Sequence, residues 1–132
     1  MDSSSPQPLS RYAEVPAYLT KDGSEIRELM HPDIHGNRRQ SLAEARIRAG
    51  ASTVLHRHAQ TEELYHVIAG QGRMTLGERR FAIAVGDTVH IPPGTPHCVA
   101  ATGADDLRLL CCCSPAYSHE DTELLENGVL DK

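Results

Sequence analysis

An all-β domain, a sandwich or barrel, is what this chain of 132 residues predicts, and three observations predict it. Short runs of strand-like residues recur at regular spacing. Turn residues stand between nearly all of them. No helical period appears before the last fifteen residues. The predicted strands are 25–30, 40–48, 53–58, 63–68, 72–76, 79–85, 88–91, 96–101 and 107–113. Gly50, Gly70, Gly77, Gly86-Asp87, Pro92-Pro93-Gly94 and Thr102-Gly103 punctuate them. The run Ser41–Arg48 (SLAEARIR) is rich in helix formers, but Gly50 cuts it short and a barrel requires a strand there. A short helix is expected from Ser118 to Glu126, with Ser118 or Asp121 as N-cap and Gly128 as its stop. Residues 1–14 are Ser/Pro-rich and read as a flexible arm, leaving 15–132 as one domain.

Composition narrows the function classes. The net charge is -5, and the basic residues occur as pairs (Arg38-Arg39, Arg79-Arg80) rather than stripes, which argues against nucleic acid and anionic membrane as partners. No apolar run approaches a membrane span, and the start MDSSSPQP lacks the features of a signal peptide, so the cytoplasm is the expected compartment. Cys98 and the run Cys111-Cys112-Cys113 make no disulfide framework. They read as core-fillers in a reducing cell, against a thiolate site as the sharper alternative.

The chemistry concentrates in four residues. His56 and His58 are one residue apart, so on a strand both imidazoles project to the same face, about 7 Å apart along the chain. Glu63 follows after a four-residue gap that fits a tight turn, and the returning strand brings its carboxylate to face the pair. His97 opens a later strand, three residues after Gly94. Three imidazoles and a carboxylate suit one divalent Fe, Mn, Ni, Cu, Co or Zn ion, with two cis positions of an octahedral ion left open.

Gly50 to Gly70, GASTVLHRHAQTEELYHVIAG, resembles the first conserved motif of the cupin superfamily: Gly, five residues, His-x-His, four residues, Glu, six residues, Gly. Gly86 to Ala101, GDTVHIPPGTPHCVAA, resembles the second motif at Gly86, Pro92, Gly94 and His97, with Ala101 where Asn is usual. Fifteen residues separate the motifs, the short spacing of compact single-domain bacterial members of the mannose-6-phosphate-isomerase-like or cupin-2 type. The resemblance implies a double-stranded β-helix, or jelly-roll barrel, and assigns the metal to His56, His58, Glu63 and His97. It also implies a homodimer built on N-terminal strands, with 25–30 as the strand concerned.

Strand parity supports Glu63 over Glu62 as the ligand. Glu63, Tyr65 and Val67 share one face, while Glu62, Leu64, His66 and Ile68 share the other. Tyr65 is then inward and is the catalytic candidate, read alternatively as a large core filler. Gln40, Glu44 and Arg46 share a parity and are candidate substrate contacts if that face is inward, a solvated face if it is outward; Arg73 and Thr75 pose the same choice. His31, His35, His90 and His119 read as surface residues, His119 being placed to approach a barrel mouth. The function expected is a metal-dependent enzyme acting on a small polar organic molecule that chelates the ion. It leans to oxygenase-type chemistry, with an isomerase or cyclase next and a non-catalytic sugar- or ligand-binding barrel as the alternative.

Overall fold

The computed structural model describes residues 8–125. Eleven short strands account for nearly all its regular structure: β1 (Ala17–Leu19), β2 (Glu25–Met30), β3 (Ser41–Ile47), β4 (His56–His58), β5 (Glu62–Ala69), β6 (Gln71–Leu76), β7 (Arg79–Ala84), β8 (Thr88–Ile91), β9 (His97–Ala101), β10 (Leu107–Ser114) and β11 (Thr122–Leu124). They form two antiparallel sheets, β1-β2-β3-β10-β5-β8 and β11-β4-β9-β6-β7. This is a jelly roll, and the nine strands expected from the sequence are all present. Among the described residues no helix is long and apolar enough to cross a membrane.

Alternation along each strand builds the core between the sheets. Ala43, Ala45 and Ile47 of β3, Tyr65 and Val67 of β5, Val89 and Ile91 of β8, Met74 of β6, Val99 of β9, and Leu107 and Leu109 of β10 all turn inward and are buried. Cross-strand neighbours such as Cys111 with Tyr65 and Tyr65 with Val89 carry this face continuously across the six-stranded sheet. The parity expected for Glu62, Leu64, His66 and Ile68 also holds: Glu62 pairs with His90 and His66 with Thr88, both outside.

One segment differs from the reading of the sequence. The expected helix at 118–126 is absent from the described residues, and Glu126 and Gly128 lie outside them. Ser118–Asp121 makes a single turn, closed by Asp121 N–H to Ser118 O, and the chain then extends as β11 against β4. Asp121 does not cap a helix. Its carboxylate accepts the backbone N–H groups of Gln60 and Thr61 and so ties down the β4–β5 turn. At the other end, 1–7 of the expected arm lie outside the described residues. Tyr12–Glu14 is a 3-10 turn, with the Tyr12 hydroxyl donating to Glu44 and its ring under the Arg27 guanidinium.

Two turn glycines rank differently. Gly70, at φ 81°, closes the β5–β6 hairpin so tightly that a Cβ would stand 2.3 Å from Asp106 O and 2.9 Å from Leu107 Cα. Gly86 has φ 95° but open space around it. Gly86→Ala is expected to cost about 1 kcal/mol, the backbone term alone. Gly70→Ala adds a collision with backbone that cannot yield, and is expected to cost about 3 kcal/mol or more. Urea midpoints of the two variants check the order.

Candidate metal centre

Strand β4 carries His56 and His58 on its inward face, with Arg57 between them pointing out to Glu123. Strand β9 runs antiparallel beside it and sets His97 directly across from His56. The three rings gather with centroids 4.2 to 5.4 Å apart, and one nitrogen of each lies within 4.8 Å of the others. All three are buried.

Second contacts fix which nitrogen each ring presents. His56 Nδ1 lies 2.7 Å from Val54 O, and His97 Nδ1 lies 2.9 Å from Thr95 O. His58 Nδ1 lies 3.0 Å from Thr122 Oγ1, whose own proton goes to Ser118 O at 2.8 Å. Each Nδ1 therefore faces an acceptor. The neutral tautomer that satisfies all three puts the proton on Nδ1 and leaves the Nε2 lone pair free.

Glu63 of β5 completes the cluster. Its Oε1 lies 3.2 Å from His58 Nε2 and 3.6 Å from His97 Nε2, while its Oε2 accepts the Cys113 thiol at 3.4 Å. Glu63 Oε1 and His97 Nε2 are buried and have no hydrogen-bond partner. Burial pushes this carboxyl up, but the imidazoles of His58 and His97 beside it outweigh that and hold it below the ordinary carboxylate range. Lone pairs converging on a buried carboxylate are short of one thing, a positive charge at their centre. The donor set fits a divalent transition metal of the Fe, Mn, Ni, Cu, Co or Zn group.

The cluster lies in a cavity lined by Ile26, Ala43, Ala45, Ile47, Val99 and Leu109 and by polar residues such as Ser24, Glu28 and Ser41. Tyr65 lines it, buried, its ring centroid 5.9 Å from that of His97. Burial and then the Glu63 charge hold its phenol well above the ordinary tyrosine range, so it keeps its proton. Cys111 and Cys113 line the same wall as thiols, pushed up by burial, which favours the core-filling reading over a thiolate site.

Glu44 and Arg46 do not reach the cavity. Ser41, Ala43, Ala45 and Ile47 take the inward positions of β3, so the intervening residues face out. Glu44 meets Tyr12 and Arg108, and Arg46 meets Glu25. Gln40 precedes the strand and is exposed. This corrects the inward alternative for the three substrate-contact candidates: small residues on one face and charged ones on the other turn the charges away from the cavity, Glu44 being buried against Tyr12 and Arg108. Of the histidines expected at the surface, His31 is buried, bonded through Nε2 to Tyr117 O. His119 is exposed and bonds the Tyr117 hydroxyl.

The cavity also holds residues the sequence did not single out: Asp22, Glu28, Tyr117 and Thr122. Glu28 is buried with one oxygen unpartnered and the other accepting from Tyr18, and burial raises its carboxyl. The Tyr117 ring lies edge-on to His58, with centroids 5.9 Å apart. An Asp-Gly turn signal at Asp22-Gly23 marks the first of these; the others come from pairings distant in sequence.

A jelly roll whose inward histidines from two adjacent strands meet one carboxylate from the opposite sheet defines the cupin class of barrels. The chain belongs to the cupin domain family, whose model matches residues 43–113. It is 50% identical to the uncharacterized protein MJ1618 of Methanocaldococcus jannaschii over 117 residues, 89% of this chain and 94% of that one. It is 27% identical to the oxalate-binding protein of Thermotoga maritima over 86 residues, 65% of this chain and 71% of that one. Among solved structures it resembles the Streptomyces nucleoside dehydratase Pac13, with a TM-score of 0.75 at 14% identity, covering 91% of this chain and 92% of that one.

Burial, followed by the charge of His97, depresses His56 to about 4. An unfolded imidazole takes its proton near pH 6.5. Between those values the unfolded chain binds more protons, so stability is full above about pH 6.5 and is lost as pH falls through 4. Metal-free protein is expected to lose on the order of 3 kcal/mol across that window. Urea unfolding in chelator checks this, and His56→Gln should flatten the slope.

Proposed function

We propose that this protein is a metal-dependent cupin enzyme of the cytoplasm, acting on a small polar organic molecule that coordinates the ion through oxygen, with oxygenase-type chemistry. The observation that carries the reading is the gathering of one nitrogen from each of His56, His58 and His97 within 4.8 Å of one another, with Glu63 Oε1 beside the Nε2 atoms of His58 and His97. His56, His58, His97 and Glu63 would hold the ion, which supplies Lewis acidity and, if it is Fe, Mn or Cu, activation of dioxygen. The chain's own part is to position and to exclude water. Ile26, Ala45, Ile47 and Leu109 form a dry wall against which an organic skeleton packs. Tyr65, protonated beside His97, acts as catalytic hydrogen-bond donor to a substrate oxygen. Four free cysteines, three of them adjacent, agree with a reducing compartment.

An isomerase or cyclase is the second reading. It is favoured by two proton carriers in one cavity, the Tyr65 phenol and the Glu28 carboxyl, both raised by burial. Pac13, a dehydratase on a similar barrel, belongs with such chemistry, whereas the oxalate-binding relative favours ligand binding alone.

Elemental analysis separates these readings. Wild type is expected to hold one ion per chain and His58→Ala none. Protein loaded with Fe or Mn should consume oxygen with a member of a panel of keto acids, diketones and phenols. Tyr65→Phe should keep its ion and lose about 100-fold or more in kcat. Zinc alone with no oxygen uptake would move the assignment to the second reading. An inability to take up any ion would leave a ligand-binding barrel.

We also propose a homodimer. The N-terminal edge open for pairing is β1, since β2 is enclosed by β1 and β3, and Leu19 on that edge is 75% exposed. Gel filtration should give twice the chain mass; elution as a monomer refutes it.

A further inference from the structure

A second carboxylate stands at the histidine cluster. Asp22 lies in the turn between β1 and β2, its Oδ2 3.5 Å from His56 Nε2. Its other oxygen is fully engaged: Oδ1 accepts Thr20 Oγ1 at 2.6 Å, Ser24 N at 2.9 Å and Ser24 Oγ at 2.6 Å. Three donors on one oxygen lock the side chain and leave Oδ2 turned to His56. The turn itself is closed by Thr20 N–H to Ser24 O and Gly23 N–H to Thr20 O. Val54 N–H donates to Asp22 O at 2.7 Å, which fastens the turn to the segment whose next carbonyl orients His56.

The spacing is that of neighbouring donors around one ion. Ligands with bonds of about 2.1 Å at right angles lie roughly 3 Å apart. Glu63 Oε1 stands 3.2 and 3.6 Å from the Nε2 atoms of His58 and His97, and Asp22 Oδ2 stands 3.5 Å from that of His56. Each imidazole thus has a carboxylate oxygen beside its free nitrogen. Asp22 also lines the cavity.

We propose that Asp22 is a fifth donor to the metal, its Oδ2 filling one of the two positions left open by the three imidazoles and Glu63. This rests on the metal-site reading above. Two carboxylates and a divalent ion make a neutral centre with one open position in an octahedral field. The substrate class narrows accordingly, to a neutral or singly charged molecule held through one oxygen. A dianionic chelator binds only by displacing Asp22.

The test compares Co(II) affinity, by competition with a coloured chelator, in wild type, Asp22→Asn and Thr20→Val. Asparagine keeps an oxygen for the turn and removes the charge; valine weakens the turn and keeps the carboxylate. Asp22→Asn should bind Co(II) about 10-fold or more weaker, with Thr20→Val close to wild type. Equal affinity in Asp22→Asn and wild type overturns the proposal, as does an equal loss in the two variants, which would mark a structural turn only. A crystal structure of Co(II)-loaded wild type gives an answer independent of whether the variants fold: Oδ2 bonded to the ion supports the proposal, and Oδ2 beyond 3 Å refutes it. Wild type that takes up no Co(II) defeats the metal-site reading itself, a result distinct from any of these.

Discussion

Three imidazole lone pairs and an ionised carboxylate cannot share a buried space without a positive charge among them. Unpaired lone pairs repel, and in a medium of low polarity the penalty for leaving them so is several times that in water. His56, His58 and His97 present Nε2 to the same point because each Nδ1 is committed elsewhere, and Glu63 adds its charge from the facing sheet. A proton relieves this at one nitrogen only. A divalent ion relieves it at all of them, which is why the arrangement reads as a metal centre rather than a satisfied polar core.

The rest of the barrel can be understood as the means of holding that convergence. Two of the three rings are oriented locally, by the same device: the carbonyl two residues upstream accepts from Nδ1, Val54 for His56 and Thr95 for His97. The third is oriented from a distance, by Thr122 on β11, and this gives the C-terminal segment its reason to run as a strand. A helix from Ser118 would carry the Thr122 hydroxyl away from the His58–Thr122 register. Cys113 plays the matching part for Glu63. Its thiol engages Oε2 and leaves Oε1 as the free donor. The consequence is a site whose geometry is imposed by neighbours and is not left to the ion.

What was legible in the sequence follows from the range of the interactions involved. Strand alternation and turn glycines are local, so the expected strands, the inward face of Glu63 and Tyr65, and the outward face of Glu62 and His66 all agree with the structure. The clustering of His56, His58 and His97 was readable because His56-x-His58 and the motif glycines are likewise short-range. The C-terminal segment was misread because Ser, His, Glu and Asp suit a helix start as well as a turn. The competing interaction, Asp121 against the N–H groups of Gln60 and Thr61, spans 60 residues and leaves no periodicity. The facing of Glu44 and Arg46 was open for a related reason: SLAEARIR alternates small with charged residues, and either set can face a cavity. The structure chose by volume and charge together, with Ala43 and Ala45 beneath the cavity and Glu44 beside Arg108.

The same choice sets the electrical character of the cavity. Among the acids whose titration is displaced there, Glu63 is drawn toward the charged form, and it is the one that touches two imidazoles. Tyr65, Glu28, Cys111 and Cys113 are all driven by burial toward the protonated form, and Tyr117 is pushed up to about 12 by the same cause. Apart from Glu63 and Asp22, the groups lining this cavity offer protons and hydrogen bonds rather than further charge. It suits a ligand whose oxygens accept hydrogen bonds and whose carbon skeleton lies against Ile26, Val99 and Leu109. Highly charged anions gain little there, because the cations nearest on β3 and β10, Arg46 and Arg108, are half-buried in ion pairs on the other face. The polarity of the cavity is therefore a property of the strand alternation itself, set before any ion binds.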